Sequence, residues 1–131
     1  MMKKDKKQLG PPAGKHIETA PAEMEKSNVH ILVQIIEYIP HAVVSKTIIK
    51  KTTGNITVSS FAAGEALAEK TSPFDTYIQM IDGAAEVSIG ETKYTLRFGE
   101  GIIIPAHASH RFNAPEQFKM ISTIIKSGYE D

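Results

Sequence analysis

From residue 43 onward the chain is a series of short β-rich runs, each closed by turn residues. The runs are VVSKTIIK (43–50), ITVSSFA (56–62), TYIQMI (76–81), AAEVSI (84–89), TKYTLRF (92–98), IIIP (102–105) and FKMISTIIK (118–126). Between them stand Thr53-Gly54-Asn55, Ala63-Gly64-Glu65, Ser72-Pro73, Asp82-Gly83, Gly90-Glu91 and Gly99-Glu100-Gly101. Strands of about six residues with turn signals roughly every 8–12 residues mark an all-β sandwich or barrel. Helix-length patterns do not intervene, so no parallel βαβ sheet is expected. Inside the runs the side chains alternate. Ile56, Val58, Ser60 and Ala62 share one face and Thr57, Ser59 and Phe61 the other, as in a half-buried strand.

The part before residue 28 has a different composition. Residues 1–27 are rich in Lys, Pro, Gly, Ala and Glu and poor in large apolar side chains. Such a segment buries too little surface to offset its ordering entropy, and a flexible polar tail is expected. His16 falls in it and receives no role. Residues 28–131 are then read as one barrel domain. Its entry, VHILVQIIEYI (29–39), has apolar residues at helical spacing but a β-branched content that favours strand. One short helical or extended piece, ended by Pro40, is expected.

Charge and cysteine usage narrow the function classes. Lys plus Arg and Asp plus Glu are 15 each, so neither nucleic acid nor an anionic membrane is expected as a partner. The chain has no cysteine, which removes disulfides, thiolate catalysis and Cys-ligated zinc. No run of about 18 apolar residues is present. The lysine-rich start leads to Gln8-Leu9-Gly10-Pro11-Pro12 rather than to an apolar core, so no signal peptide is read and the cytoplasm is the expected location.

Two segments carry a family likeness. GEALAEKTSPFDTYIQMIDG (64–83) and GEGIIIPAHASHRFN (99–113) resemble the two signature motifs of the cupin superfamily, in order and joined by a short hairpin. The resemblance covers most of residues 43–127. It implies a small conserved-barrel, RmlC-like protein: an antiparallel jelly-roll β-barrel, or double-stranded β-helix. It also implies a homodimer, often with the N-terminal strand exchanged between partners.

Metal-binding members of that superfamily use two histidines and a carboxylate from the first motif and one histidine from the second. Aligned on Pro73 and Gly83, the first three positions fall here on Lys70, Ser72 and Thr76. A protonated Lys repels a cation, and hydroxyls are weak ligands. The second-motif histidine survives as His110, and Asp75 is the one substitute donor, on a strand position that alternation turns away. No cofactor is therefore expected; a transition metal would need His110 with Asp75. The second motif departs too, with His107 at a usual glycine and Ala114 at the usual asparagine.

A pocket changed in this way is expected to hold a small molecule, with Ser72, Thr76, Ile78, Met80 and Phe112 as walls. Lys70 and His110 would be its polar anchors, and their charge points to an anionic ligand such as a carboxylate or sugar acid. Three alternatives stand beside this. One is a metal-independent isomerase or epimerase in which His110 is the general base and Lys70 the acid, with Tyr77 as a candidate proton donor. Another is a metal-dependent dioxygenase with a non-standard site. The last is a structural dimer whose pocket is vestigial. Phe61, Phe98, Phe112 and Phe118 are expected in the core.

Overall fold

The structure is a computed structural model that describes residues 15–18 and 23–129. Nine strands and one short helical turn are present among these residues. They are β1 (Lys15–Glu18), the 3₁₀ turn η1 (Leu32–Gln34), β2 (Ala42–Lys51), β3 (Gly54–Phe61), β4 (Thr76–Gly83), β5 (Ala85–Ile89), β6 (Thr92–Leu96), β7 (Gly101–Ile104), β8 (His110–Asn113) and β9 (Phe118–Ile125). The strands read from the sequence are found within a residue or two of their expected positions. β1 and β8 are additional.

Two sheets form. One has six strands in the order β1-β2-β3-β9-β4-β7, and the other three in the order β6-β5-β8. Every strand pair is antiparallel except β1 with β2. The segment 64–70 runs beside β8 and ties it in: Gly64 N–H donates to Ala114 O, Leu67 N–H to Phe112 O and Lys70 N–H to His110 O. That pairing covers the edge that β8 would otherwise expose.

Both faces of the six-stranded sheet carry a buried cluster, and the period of two sorts its residues between them. Its inner face meets the small sheet in a core of Val43, Phe61, Ile78, Met80, Ile104, Phe118 and Met120 against Ala85, Val87, Leu96 and Phe112. Phe61 and Phe118 are fully buried and stacked, with ring centroids 4.4 Å apart. Its outer face carries Val44, Val58, Ile81 and Ile121, covered by Ile36 from the segment after η1. Within residues 29–39, expected as one helical or extended piece, Ile35 and Ile36 supply that cover. Phe98 departs from its expected core position. It lies past the end of β6, where no sheet face receives it, and is 71% exposed.

A polar network pins the cover in place. Ser60 Oγ donates to Glu37 O at 2.8 Å. The Tyr38 hydroxyl donates to Asp82 Oδ2 at 2.5 Å. Lys119, buried to 8% exposure, donates from Nζ to Val33 O and lies 4.8 Å from the centroid of the Tyr38 ring. Burial and the Asp82 carboxylate both hold the Tyr38 hydroxyl well above the ordinary phenol range.

The N-terminal reading changes for the residues that are described. Lys15–Glu18, inside the expected polar tail, is a strand paired parallel with Ala42–Ser45. Ile17 supplies the reason, since it packs against the outer-face core that Ile36 and Val44 help to form. Residues 23–24 are also tied down, with Glu23 accepting from Lys50 N–H at 2.7 Å and Met24 N–H donating to Ile48 O at 3.0 Å. The rest of the expected tail, 1–14 and 19–22, lies outside the described residues.

One glycine is required by close approach. Gly83 ends β4 with φ +71°, and a Cβ there would lie 2.1 Å from Gln117 O. Only glycine fits where β4 turns under the start of β9.

Candidate functional site

The inner face is not filled to its end. A cavity of about 270 Å³ opens beyond the aromatic core. The strand registers explain its character. In one cross-sheet row, Val43, Phe61 and Phe118 are neighbours. Two residues along the strands, the next row on the same face is Ser45, Ser59 and Met120. Two residues further come Thr57, Ser122 and Ile78. The face thus passes from aromatic to hydroxyl-bearing within two rows, and the hydroxyls line the cavity. Leu67, Ile104 and Phe112 add apolar surface to the lining, so the cavity mixes hydroxyl and apolar side chains.

Most of the anticipated residues meet here. Lys70, Ser72, Thr76, Ile78, His110 and Phe112 all line the cavity, while Met80 does not and packs in the core instead. Met80 faces the same way as Ile78, two residues further along β4, and its side chain is taken up by the core between the sheets. Lys70 and His110 form an isolated antiparallel bridge. Lys70 N–H donates to His110 O at 2.9 Å, and His110 N–H donates to Lys70 O at 2.8 Å. Residues opposed in this way carry their side chains on one face. Lys70 is exposed at the mouth, and His110 is half-buried beside it. The His110 ring meets Phe112 edge-on at 6.0 Å, and its Nδ1 lies 3.3 Å from Ala108 O.

Other candidates fall elsewhere. Asp75 is exposed outside the cavity, and its Oδ1 accepts from Ala106 N–H at 2.8 Å. Tyr77, one residue from the inward Thr76 and Ile78, lies on the outer face at 45% exposure and cannot reach the cavity. His107 is exposed at the rim with φ +69°, the left-handed conformation that suits the glycine of the usual motif. Ser72 Oγ accepts from Phe74 N–H at 3.2 Å and shapes the turn before β4.

The donor set does not match the metal-binding arrangement that the motifs imply. Among the described residues, no group of three or more His, Cys, Asp or Glu side chains is placed to hold an ion. Asp75 and His110 do not share the cavity.

Several lining residues were not legible beforehand. Ser45, Thr57, Ser59 and Ser122 are the polar alternates of their strands, a pattern that ordinarily marks a solvent face. Arg111 borders the mouth from β8, but alternation with His110 and Phe112 turns its side chain to the other face of the strand. His16 and Glu18 reach the cavity from β1; Ile17 faces the outer core between them. Alternation within KHIE is the one signal that could have placed them.

Comparison with known proteins follows this geometry. No family model matches the chain. Over 72 residues, 54% of its length, the chain is 31% identical to Protein SchB of Streptomyces halstedii. The chain spans about half the length, 52%, of that curated relative. A conserved protein of unknown function from Streptococcus pyogenes has a similar structure, with a TM-score of 0.77 and 27% identity. That match covers 81% of this chain and 93% of the other. A cupin superfamily protein from Desulfitobacterium hafniense matches with a TM-score of 0.75 and 23% identity, over 83% of this chain and 100% of the other.

Proposed function

We propose that this chain, a cupin-fold protein by the structures it resembles, binds a small anionic molecule in the cavity between its two sheets. The observation that carries the reading is a cavity of about 270 Å³, lined by apolar and hydroxyl side chains, with Lys70 at its mouth. Ligand sites generally combine apolar walls with a few convergent polar groups. Lys70 stands beside His110 at the mouth, with Glu18 as the one carboxylate in the lining. An anion at the mouth would gain from the Lys70 ammonium.

The metal-dependent alternative lacks a fitting donor set, and no step is derived through a metal. A proton-transfer role for His110 has one observation in its favour, the bridge that sets it beside Lys70 on the cavity side. Wash-in of solvent deuterium at a ligand carbon, dependent on His110, would test that second reading.

The binding reading is tested by thermal unfolding with a panel of small carboxylates, hydroxy acids and oxo acids. A ligand at 100 times its Kd adds about 2.7 kcal/mol of stability. At least one acid is expected to raise the midpoint of the parent and not of Lys70→Ala. A panel without any shift contradicts the reading.

A further inference from the structure

We infer that the row His16–Ser45–Ser59 is a second recognition point, selecting ligands that carry hydroxyl groups as well as a carboxylate and making strand β1 part of the site. The inference rests on the anion-binding reading and adds the class of ligand, a polyhydroxylated acid. His16 Nε2 lies 2.9 Å from Ser45 Oγ, and Ser45 Oγ lies 3.0 Å from Ser59 Oγ. The three residues come from the adjacent strands β1, β2 and β3, and all three line the cavity. Thr57 and Ser122, partners across β3 and β9, extend the polar wall.

A wall of this kind discriminates. Each hydroxyl both donates and accepts, so it pairs with a ligand hydroxyl in either sense. An apolar ligand pressed against the same wall strips water from the Thr57 and Ser122 hydroxyls and offers them nothing in return. Sites built to hydrogen-bond a hydroxyl reject the analogue that lacks it for this reason. The apolar side chains of Leu67, Ile104 and Phe112 share the lining and suit the carbon face of the same ligand. Among the described residues, β1 is held by four paired residues, by the His16–Ser45 contact and by Ile17. Contact between the ligand and His16 would therefore add to its anchoring.

The test is calorimetric titration of the full chain with D-gluconate and hexanoate, which share a six-carbon carboxylate skeleton and differ in hydroxyls, and with sorbitol, which lacks the carboxylate. Gluconate is expected to bind at least about tenfold more tightly than hexanoate. His16→Ala and Ser59→Ala are each expected to weaken gluconate roughly three- to tenfold, the range for one lost hydrogen bond, and to leave hexanoate within about twofold. His16 is exposed on an edge strand, so its variant does not endanger the fold. Gluconate is also expected to slow amide exchange in 15–18, and hexanoate is not. Hexanoate binding as tightly as gluconate, or both probes weakened equally by both variants, would overturn the hydroxyl wall while leaving the anion site standing. Failure of both acids to bind contradicts the anion reading itself, and the hydroxyl wall with it.

Discussion

Lys119→Met asks whether the buried cation on the outer face holds the 33–38 cover in place. The substitution keeps the stem and removes the ammonium. Two interactions are lost: a charge-assisted bond to Val33 O, contributing about 1.5–3 kcal/mol, and the contact with the Tyr38 ring at 4.8 Å, contributing about 0.5–2 kcal/mol. Their sum is about 2–5 kcal/mol. Part returns because a neutral side chain costs less to bury than an ammonium. A net loss of about 2 kcal/mol is expected. Urea unfolding measures it as a lower midpoint with an unchanged slope. Amide exchange in 33–38 should quicken, and ligand binding should persist because the cavity lies on the opposite face of the sheet. A variant as stable as the parent, with the same exchange in 33–38, would refute the role given to Lys119. Burial of the charge would then cost as much as its contacts return.

Further expectations concern the same framework. Gly83→Ala should lose about 2–5 kcal/mol, combining positive-φ strain with the clash against Gln117 O; circular dichroism melts check this. Phe61→Ala, which opens the buried stack with Phe118, should lose about 3–5 kcal/mol by urea unfolding. Tyr38, raised by burial and by Asp82, should be the last of the four tyrosines to ionise in an absorbance titration. Its folded value exceeds the unfolded one, so its contribution is complete below about pH 10 and is lost as pH rises through the folded value. Tyr38→Phe should lack that alkaline loss, and the gap between variant and parent should narrow above about pH 10. Protein purified without added metal or chelator should carry well under one transition-metal ion per chain by mass spectrometry of the metals.

The strands and turns were legible because they are local. Runs of β-branched residues closed by Gly64, Gly83, Gly90 and Gly99 mark their own ends, and each of these glycines has positive φ. The cupin-like fold followed from two motifs, and the structural neighbours share it. The chemistry of the cavity was harder to read. Alternation says that Thr57 and Ser59 share a face with Phe61, but not that the face looks inward. Both faces of this sheet are covered, so the usual equation of polar alternates with solvent fails. Strand β1 was hidden for a different reason. KHIE is short and polar, and its order comes from pairing with residues 27 positions later, a contact that no local window contains. Met80 was misplaced because period two fixes the face a side chain takes and not whether the core fills that part of the face. The Lys70–His110 bridge joins positions 40 apart; the motifs supplied both residues but not their adjacency.

The central claim is that the mouth of the cavity recognises negative charge. Calorimetric titration of D-gluconate against the uncharged sorbitol, in the parent and in Lys70→Ala, tests it most directly. Saturable one-to-one binding of gluconate is expected, with no measurable binding of sorbitol and an affinity at least about tenfold weaker in the variant, the effect of one charge-assisted contact. Sorbitol binding as tightly as gluconate, or gluconate binding untouched by Lys70→Ala, would contradict the claim.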